Sequence, residues 1–272
     1  MERIQMDRVI IYVGAVCNLR CKLCSEYIPY TSENPPYYCP EQIKKALYEY
    51  FRIVSHVKMI VLTGGEPFIN ENTAIITEYL SEYMDQYDKL EIMTNGTLLP
   101  NESLLRACAK NEKTIIFINH YGELSPKVNA IHEACEKAGV RNTIRKYYGE
   151  DAHFGGWFDL GILSGERLTD ENELKDRFKH CLTGNNPRLG LSFGLYGGKL
   201  FACSVSGIVE RLGLMDDKMA YIDLCDDTLS HEQKRDRITA LRKSEYLPAC
   251  AVCHGNDSRV EKQRFVPAEQ LS

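Results

Sequence analysis

The sequence predicts an α/β protein built around a parallel β-sheet and followed by a smaller cysteine-rich unit. Over roughly the first half of the 272 residues, short β-branched and apolar runs alternate with stretches at helical spacing. The connections between these runs are short, and the strand-like runs are mostly apolar. Such alternation favours a parallel sheet with crossover helices, either open or curled toward a barrel.

Each element has its own local signal. β-branched and apolar residues mark the strands, which are predicted at Arg8–Val13, Lys58–Leu62, Leu90–Met93, Thr114–Ile118 and Val140–Lys146. Helical periodicity marks the stretches between them, which are predicted at Glu41–Val54, Asn72–Tyr83, Glu102–Ala109 and Pro126–Lys137. Gly139 is expected to close the last of these helices.

The pattern changes after Tyr147. Residues 149–165 are rich in glycine and aromatic residues, which predicts irregular structure. Further on, Gly190–Leu195 and Lys199–Ala202 are predicted to form a hairpin, and a polar helix is predicted over His231–Ser244. We therefore expect a core over residues 1–150, a connecting and substrate-lining region over 151–180, a cysteine-rich unit over 181–260 and a loosely held tail over 261–272.

Composition is that of a globular protein and limits the possible partners. The hydrophobic fraction is 44%, the charged fraction 26% and the net charge −5, which argues against nucleic-acid binding because phosphates attract a basic face. The start of the sequence has no apolar segment of signal-peptide length, and no apolar run approaches the roughly 20 residues of a membrane helix. We therefore expect a cytoplasmic location, no membrane partner, and a metal-binding or catalytic use for the eleven cysteines.

Three cysteines with the spacing CxxxCxxC follow the first predicted strand. Cys17, Cys21 and Cys24 fall at the carboxyl end of that strand, where parallel α/β folds build their sites. They can supply three thiolates to a 4Fe–4S cluster and leave one iron open. A zinc knuckle and buried free thiols are the alternatives. Zinc normally takes a fourth ligand, and the nearest candidate in the sequence is Cys39.

A second motif follows the second predicted strand and completes a resemblance to the radical S-adenosylmethionine (SAM) superfamily. The run Thr-Gly-Gly-Glu-Pro at residues 63–67 resembles the GGEP motif of that superfamily, as the cysteine run resembles its cluster signature. Gly64 and Gly65 let the backbone approach a ligand closely, and Glu66 offers acceptors to the amino group of SAM. A simple glycine turn explains the two glycines but not the Glu-Pro pair.

The resemblance covers about residues 8–148 and implies a partial (β/α)6 barrel. It also implies that a reduced 4Fe–4S cluster cleaves SAM into methionine and a 5′-deoxyadenosyl radical, which removes a hydrogen atom from substrate. Further SAM contacts are implied at the ends of the later strands, at Thr94, Asn95, Asn119 or His120, and Arg145. A purely structural role for His120 is an equal alternative. Leu23 departs from the superfamily, where the residue before the third cysteine is commonly aromatic.

Five cysteines in the last third predict a second metal centre. Four thiolates from separated segments suit a tetrahedral zinc ion or a 4Fe–4S cluster equally. The arrangement resembles the shortened SPASM or twitch unit of many radical SAM enzymes, and this implies an auxiliary 4Fe–4S cluster on Cys181, Cys203, Cys250 and Cys253. The fifth, Cys225, is a candidate hydrogen donor to a substrate radical, as in some radical SAM epimerases. An alternate cluster ligand and an inert thiol are the other possibilities.

The reaction itself is less constrained. The first catalytic strand begins near Arg8 and leaves no room for an amino-terminal peptide-binding module, so we expect a small-molecule, sugar-like substrate that is epimerised or dehydrogenated. The expected electron donor is a flavodoxin or ferredoxin. The predicted substrate lining is Tyr147, Tyr148, His153, Phe154, Trp157 and Asp159. The alternatives are a peptide-modifying maturase that uses a separate recognition partner and a non-enzymatic iron–sulfur binding module, which would not need the GGEP motif.

Overall fold

The five strands predicted in the first part of the chain are present. A computed structural model describes residues 4–31, 38–186, 190–215 and 220–272. The elements up to residue 146 are β1 (Ile4–Tyr12), α1 (Pro40–Ile53), β2 (Val54–Thr63), α2 (Asn72–Leu80), β3 (Tyr87–Thr94), α3 (Glu102–Lys110), β4 (Thr114–His120), α4 (Val128–Ala138) and β5 (Arg141–Lys146). Most bounds lie within about three residues of the predicted ones because the apolar runs that mark each element end in turn residues.

The sheet is open, and its parallel part runs in sequence order. β5, β4, β3, β2 and β1 lie side by side and pair in parallel, which confirms the predicted α/β partial barrel. A sixth parallel strand, β7 (Gly190–Tyr196), pairs with the free edge of β1 rather than with β5. The sixth strand of the barrel is therefore taken from beyond the irregular region that follows β5.

The last third adds short elements to the same sheet. Its elements are α5 (Glu171–Lys179), β6 (Asn185–Asn186), β7, β8 (Lys199–Phe201), α6 (Ser204–Arg211), β9 (Tyr221–Asp223) and α7 (His231–Arg242). The β7–β8 hairpin and the α7 helix are where the sequence predicted them. Four of these elements were not predicted, namely α5, β6, α6 and β9. α5 is mostly polar, α6 begins Ser-Val-Ser-Gly, and β6 and β9 are only two and three residues long. The predicted division into separate domains stays a prediction.

Strand register sorts the side chains of the sheet onto two faces. Ile92 of β3 and Ile116 of β4 are aligned, fully buried and part of the apolar core that also contains residues of α1–α4. Glu91 and Ile115, which precede them in sequence, are aligned in the same way and point to the opposite face, which we call the inner face. Among the described residues, no helix is long and apolar enough to cross a membrane.

Candidate functional site

The loop that carries the first three cysteines packs directly against the GGEP loop. Gly65 N donates to Gly14 O at 2.8 Å, and Glu66 N donates to Val16 O at 2.8 Å. A Cβ atom on Gly65 would lie 1.9 Å from Val16 O, and one on Gly64 would lie 2.5 Å from Gly14 O. Glycine is therefore required at both positions because any side chain would force the two loops apart. The close approach predicted for these glycines is made to the cysteine loop itself.

The three thiols of this loop are surrounded by N–H donors and are largely withdrawn from water. Cys17 Sγ accepts from Leu19 N at 3.4 Å and lies 3.7 Å from Asn95 Nδ2, and Cys21 Sγ accepts from Gln270 Nε2 at 3.4 Å. Burial raises the pKa of Cys17 to about 11 and that of Cys24 to about 12. A bound metal centre would reverse this preference because it stabilises thiolates, and N–H donors to sulfur are typical of iron–sulfur sites.

Glu66 joins the ends of β2 and β3. The side chain is 2% exposed, and its carboxylate accepts from Phe68 N at 2.9 Å, Thr94 Oγ1 at 2.8 Å and Asn95 N at 2.7 Å. The side chain of Asn95 in turn donates from Nδ2 to Asn18 Oδ1 at 3.0 Å, so the end of β3 is tied to the cysteine loop. The predicted contacts of Glu66, Thr94 and Asn95 with SAM remain predictions, but the three residues form one hydrogen-bonded unit.

Replacing Glu66 with glutamine is expected to change the pH dependence of stability. Burial raises the pKa of Glu66 to about 7, although the three donors act to lower it. The folded state therefore holds more protons than the unfolded state between about pH 4.5 and 7, and the free energy of unfolding falls as the pH rises through that window. From pH 5 to 8 the SAM-free wild type should lose up to about 3 kcal/mol more than Glu66→Gln, measured by denaturant unfolding. Parallel pH profiles for the two proteins would contradict the prediction.

Asn119 and His120 lie at the end of β4 and point in different directions. Asn119 is aligned with Arg145 of β5, and its buried Oδ1 atom has no hydrogen-bond partner among the described residues. An unsatisfied buried acceptor of this kind suits a bound ligand with a donor group. His120 instead contacts Tyr148, with Nδ1 3.4 Å from the phenol oxygen. Of the two alternatives left open by the sequence, the geometry favours Asn119 as the SAM or substrate contact.

The inner face carries Arg145, which the sequence predicted as a site residue, together with charged side chains that it did not predict. Lys89 Nζ and Glu91 Oε1 are 2.6 Å apart, and Glu91 is 3% exposed. The Lys89 ammonium and the Arg145 guanidinium lie 4.9 and 3.5 Å from the centre of the same ring, that of Phe117. Arg8 lies on the same face, because it is aligned with Met59 of β2, which in turn is aligned with Lys89, and its Nε donates to Ser192 Oγ at 3.0 Å. The signal was available, because charged and apolar residues alternate from position 89 to 92, at the start of the strand predicted over Leu90–Met93.

Aromatic rings close the carboxyl end of this region. Tyr121 contacts Tyr147 and Trp157, with ring centres 5.2 and 5.6 Å apart, and Tyr147 contacts His153 at 5.4 Å. Burial is the main cause that raises the pKa of Tyr121 well above its usual value. The charges of Tyr147, Cys21 and Cys24 add to this effect, which indicates that Tyr121 lies near the cysteine loop. His153 and Trp157 of the predicted lining therefore belong here, together with Tyr121, which was not predicted.

Three other residues of the predicted lining are exposed or packed against other side chains. Tyr148 packs against His120, and Asp159 is exposed, with its carboxylate accepting from Gly161 N at 2.8 Å. Phe154 contacts His153, with ring centres 4.0 Å apart, but is itself 75% exposed. These residues were predicted as substrate lining because they lie in or next to the glycine-rich stretch 149–165. Proximity along an irregular segment does not fix the direction of a side chain, so the sequence could not separate these residues from His153 and Trp157.

The four cysteines predicted to hold an auxiliary cluster line one cavity. Cys181 follows α5, Cys203 precedes α6, and Cys250 and Cys253 lie on and just after the turn Pro248–Ala251. Apolar side chains complete the walls, namely those of Phe178, Val205, Leu247 and Ala249. The long-range convergence of four thiols in an apolar setting suits a cluster that staples separate segments together.

The surroundings of these thiols also suit a cluster. Gly255 N donates to Cys253 Sγ at 3.3 Å, and Gly184 N donates to Cys181 Sγ at 3.4 Å. Arg177 Nη1 donates to the carbonyl oxygens of Cys250 and Cys253 at 3.1 and 2.8 Å, which holds the turn in place. Within the described residues, no three His, Cys, Asp or Glu side chains are placed around a single metal ion. Four thiols around one apolar cavity suit a 4Fe–4S cluster, as they also suit a tetrahedral zinc ion.

Cys225 does not line the cavity of the four auxiliary cysteines and packs against α1 and the β7–β8 turn. It follows β9 in the layer formed by α1 and α7, where its Sγ is 3.7 Å from Gln42 O. A Cβ atom on Gly198 would lie 2.9 Å from the same sulfur, so the thiol sits over the β7–β8 turn. Among the described residues it contacts neither the cysteine loop nor the inner face. The hydrogen-donor role predicted for Cys225 gains no support from this placement.

The segment predicted as a loosely held tail is instead bound to the rest of the chain. Trp157 N donates to Phe265 O at 3.0 Å, and Phe265 N donates to Trp157 O at 2.7 Å. Further along, Gln270 pairs with Cys21 across an antiparallel bridge. The expectation was wrong because the segment has little apolar periodicity of its own, and its backbone hydrogen bonds are made to distant loops.

Comparison with known proteins identifies the family. Residues 11–146, half of the chain, match the Radical SAM superfamily. GTP 3′,8-cyclase of Campylobacter jejuni subsp. doylei is 34% identical over 104 residues, which are 35% of this chain and 30% of the cyclase. The antilisterial bacteriocin subtilosin biosynthesis protein AlbA of Bacillus subtilis is 32% identical over 103 residues, which are 38% of this chain and 21% of AlbA. The matched segments thus span less than a third of either relative.

Two solved structures share the fold over nearly the whole chain. BtrN in complex with AdoMet and 2-DOIA has a TM-score of 0.61 at 16% identity and covers 100% of both chains. Native anSMEcpe with bound AdoMet and Cp18Cys peptide has a TM-score of 0.51 at 14% identity and covers 98% of this chain and 92% of that one. These identities show a common fold alone. The match over half of the sequence establishes that the chain belongs to the Radical SAM superfamily, whose members bind a 4Fe–4S cluster and SAM.

Proposed function

We propose that this protein is a radical SAM enzyme that abstracts a hydrogen atom from a small, sugar-like molecule and thereby epimerises or dehydrogenates it. The observation that carries the proposal is the packing of the cysteine loop against the GGEP loop and the end of β3, beside an inner face lined with charged residues. In this proposal the cofactor site lies at the carboxyl end of the sheet, and the charged inner face, which includes Glu91 three residues before the end of β3, is the polar substrate region.

The residues of the first site have distinct roles in this proposal. Cys17, Cys21 and Cys24 hold the 4Fe–4S cluster, which when bound and reduced supplies the electron that cleaves SAM. Glu66 and Asn95 fix the end of β3 against the cysteine loop, so that acceptors and donors for SAM are ordered before it binds. The unpaired Oδ1 of Asn119 accepts from SAM or substrate.

The inner face supplies the substrate contacts. Glu91 is buried and Lys89 is half-buried, and the remaining lone pairs and protons of this ion pair suit hydroxyl or amino groups of a small polar molecule. Arg145, which stacks on Phe117, offers a fixed cation to a carboxylate of SAM or substrate. The rings of Tyr121, Tyr147 and Trp157 keep water from this region, which protects a radical from side reactions.

We propose in addition that Cys181, Cys203, Cys250 and Cys253 hold an auxiliary 4Fe–4S cluster. Support comes from the shared cavity and from the N–H donors around its sulfurs. In a dehydrogenation this second centre would accept the electron left on the substrate. A cytoplasmic location and a flavodoxin or ferredoxin as electron donor stay predictions.

A screen for substrate-dependent SAM cleavage tests the proposed function. Anaerobic protein reduced with dithionite is given SAM and a panel of deuterated aminocyclitols, sugars and nucleotides, and 5′-deoxyadenosine is measured by mass spectrometry. We expect one class of these molecules to accelerate the cleavage and to pass deuterium into 5′-deoxyadenosine. If peptides alone did so, the small-molecule proposal would be wrong. If the reduced protein formed no 5′-deoxyadenosine at all, a non-enzymatic iron–sulfur module would be favoured.

A peptide-modifying enzyme is the second candidate. It is favoured by the likeness to anSMEcpe, solved with a bound peptide, and by the partial match to AlbA, a bacteriocin biosynthesis protein. The small-molecule enzyme is favoured by the partial match to GTP 3′,8-cyclase and by the likeness to BtrN, solved with 2-DOIA. The deuterated panel separates the two when it includes peptides together with a separate recognition protein.

Replacing Cys225 with alanine tests whether its thiol returns a hydrogen atom to the substrate. Because Cys225 lies over the β7–β8 turn and beside α1, we expect Cys225→Ala to keep the product distribution and turnover of the wild type. Product formed in deuterated water is the measurement, since an exchangeable thiol donor would place deuterium in the product. Loss of that label in Cys225→Ala, but not in Cys39→Ala, would restore the donor role and favour an epimerase.

A further inference from the structure

The segment 268–271 lies along the cysteine loop as a short antiparallel partner. Lys22 N donates to Glu269 O at 2.7 Å, and Leu271 N donates to Arg20 O at 2.8 Å. These two bonds flank the bridge between Cys21 and Gln270, so the two residues lie opposite each other. The pairing brings a side-chain amide from 249 positions away against a predicted ligand of the SAM-binding cluster.

The orientation of the Gln270 amide is fixed by its neighbours. Its Oε1 accepts from Arg20 N at 2.8 Å, and its Nε2 donates to Ala268 O at 2.6 Å and to Cys21 Sγ at 3.4 Å. A backbone N–H can only donate and a carbonyl can only accept, so the amide cannot be turned over without losing both backbone contacts. The donor therefore faces the sulfur.

The segment is anchored on both sides of Gln270. Ala268 is fully buried and has a φ of +58°, a left-handed conformation that costs a non-glycine residue about 1 kcal/mol and is kept only where the surroundings enforce it. Phe265 is paired with Trp157 through two backbone hydrogen bonds. These contacts hold the amide in place and contribute to the burial of Cys21, which is 7% exposed.

We propose that Gln270 is a positioning residue that raises the reduction potential of the SAM-binding cluster through its hydrogen bond to Cys21. The proposal rests on the assignment of Cys21 as a cluster ligand in the proposed function. Reduction adds negative charge to the cluster and its sulfur ligands, and an N–H dipole directed at a sulfur stabilises that charge. Because the 268–271 segment excludes water, the Gln270 N–H group changes the reduction potential more than it would at an exposed sulfur.

The test is a redox titration of the anaerobic holoprotein, followed by the electron paramagnetic resonance signal of the reduced cluster. Gln270→Met keeps the length of the side chain and removes the donor, and we expect a midpoint potential more negative than that of the wild type with an unchanged iron content. SAM cleavage by dithionite should slow, and the stronger reductant titanium(III) citrate should restore it. A purely structural role would not be rescued by a stronger reductant.

Two further variants keep the test decisive. Gln270→Asn withdraws the amide by one methylene and should shift the potential part of the way in the same direction, even if Gln270→Met assembles poorly. Glu269→Gln is the matched control, because it removes a neighbouring charge and the exposed ion pair with Lys22 but leaves the Gln270 donor in place. It should not lower the potential.

The outcomes separate this proposal from the proposed function. A normal cluster with the same potential in Gln270→Met and wild type would overturn the role of Gln270 and leave the enzyme assignment intact. An equal negative shift in Glu269→Gln would overturn it as well, since the effect would not be specific to the donor. A wild-type protein without any cluster bound to Cys21 would overturn both.

Discussion

Replacing Cys21 with alanine is expected to abolish SAM cleavage. The cluster is proposed to have three protein ligands, and Cys21 is a buried one whose sulfur already accepts a hydrogen bond. With two thiolates left, the cluster cannot be held with one open iron, and without that iron SAM has neither a binding position nor an electron source. We expect 5′-deoxyadenosine formation to fall below about one-thousandth of the wild-type rate. Iron content should fall by about the four irons of one cluster.

The matched control is Cys39→Ala. Cys39 lies beyond the CxxxCxxC run, is exposed, and donates its thiol proton to Glu41 Oε2 at 2.8 Å. It was the nearest candidate for a fourth ligand, so a zinc knuckle would lose its metal in this variant too. We expect Cys39→Ala to keep both the iron and the activity. A Cys21→Ala protein with wild-type iron and rapid SAM cleavage would contradict the ligand assignment.

The second large effect is expected at the auxiliary site. Cys203→Ala should lower iron content by about four atoms per chain and leave the SAM-binding cluster in place. Burial is the main cause that raises the pKa of the Cys203 thiol, and the charge of Cys181 adds to it, so without a metal this thiol stays neutral and adds little cohesion. Loss of a cluster that joins α5, α6 and the Pro248–Ala251 turn should lower the free energy of unfolding by several kcal/mol, of the order seen for structural metals.

Cys203→Ala should affect SAM cleavage and substrate turnover differently. SAM cleavage without substrate is expected to continue, since the first site is separate, whereas substrate turnover should fall by about a hundredfold or more if the auxiliary centre accepts an electron. Cys135→Ala is the control for removal of a buried thiol, because Cys135 is fully buried in α4 and does not line the cavity. Metal analysis that found one zinc per chain in the wild type, and its loss in Cys203→Ala, would contradict the auxiliary cluster.

The sequence predicted the local features of the fold well. β4 begins at Thr114 and α3 begins at Glu102, as predicted, because turn and capping residues precede both. The prediction failed where an element is stabilised by packing against the rest of the chain and its own sequence has no helical or strand pattern. α6 contains Gly207 and two serines, yet it is helical because it is buried against β7, where a Cβ on Gly207 would lie 2.4 Å from the Tyr196 ring.

The candidate site divides in the same way. The sequence by itself determined the chemistry. Through their resemblance to the Radical SAM superfamily, the cysteine spacing and the Gly-Gly-Glu-Pro run indicate a 4Fe–4S cluster and SAM as ligands, and the two glycines indicate close backbone approach. Only the tertiary structure decided which charged residues share the inner face, that Asn119 rather than His120 has the free acceptor, and that β7 completes the parallel strands beside β1. The bond from Gln270 to Cys21 joins residues 249 positions apart. Contacts of that range depend on how sheets and loops pack, and no short stretch of sequence carries that information.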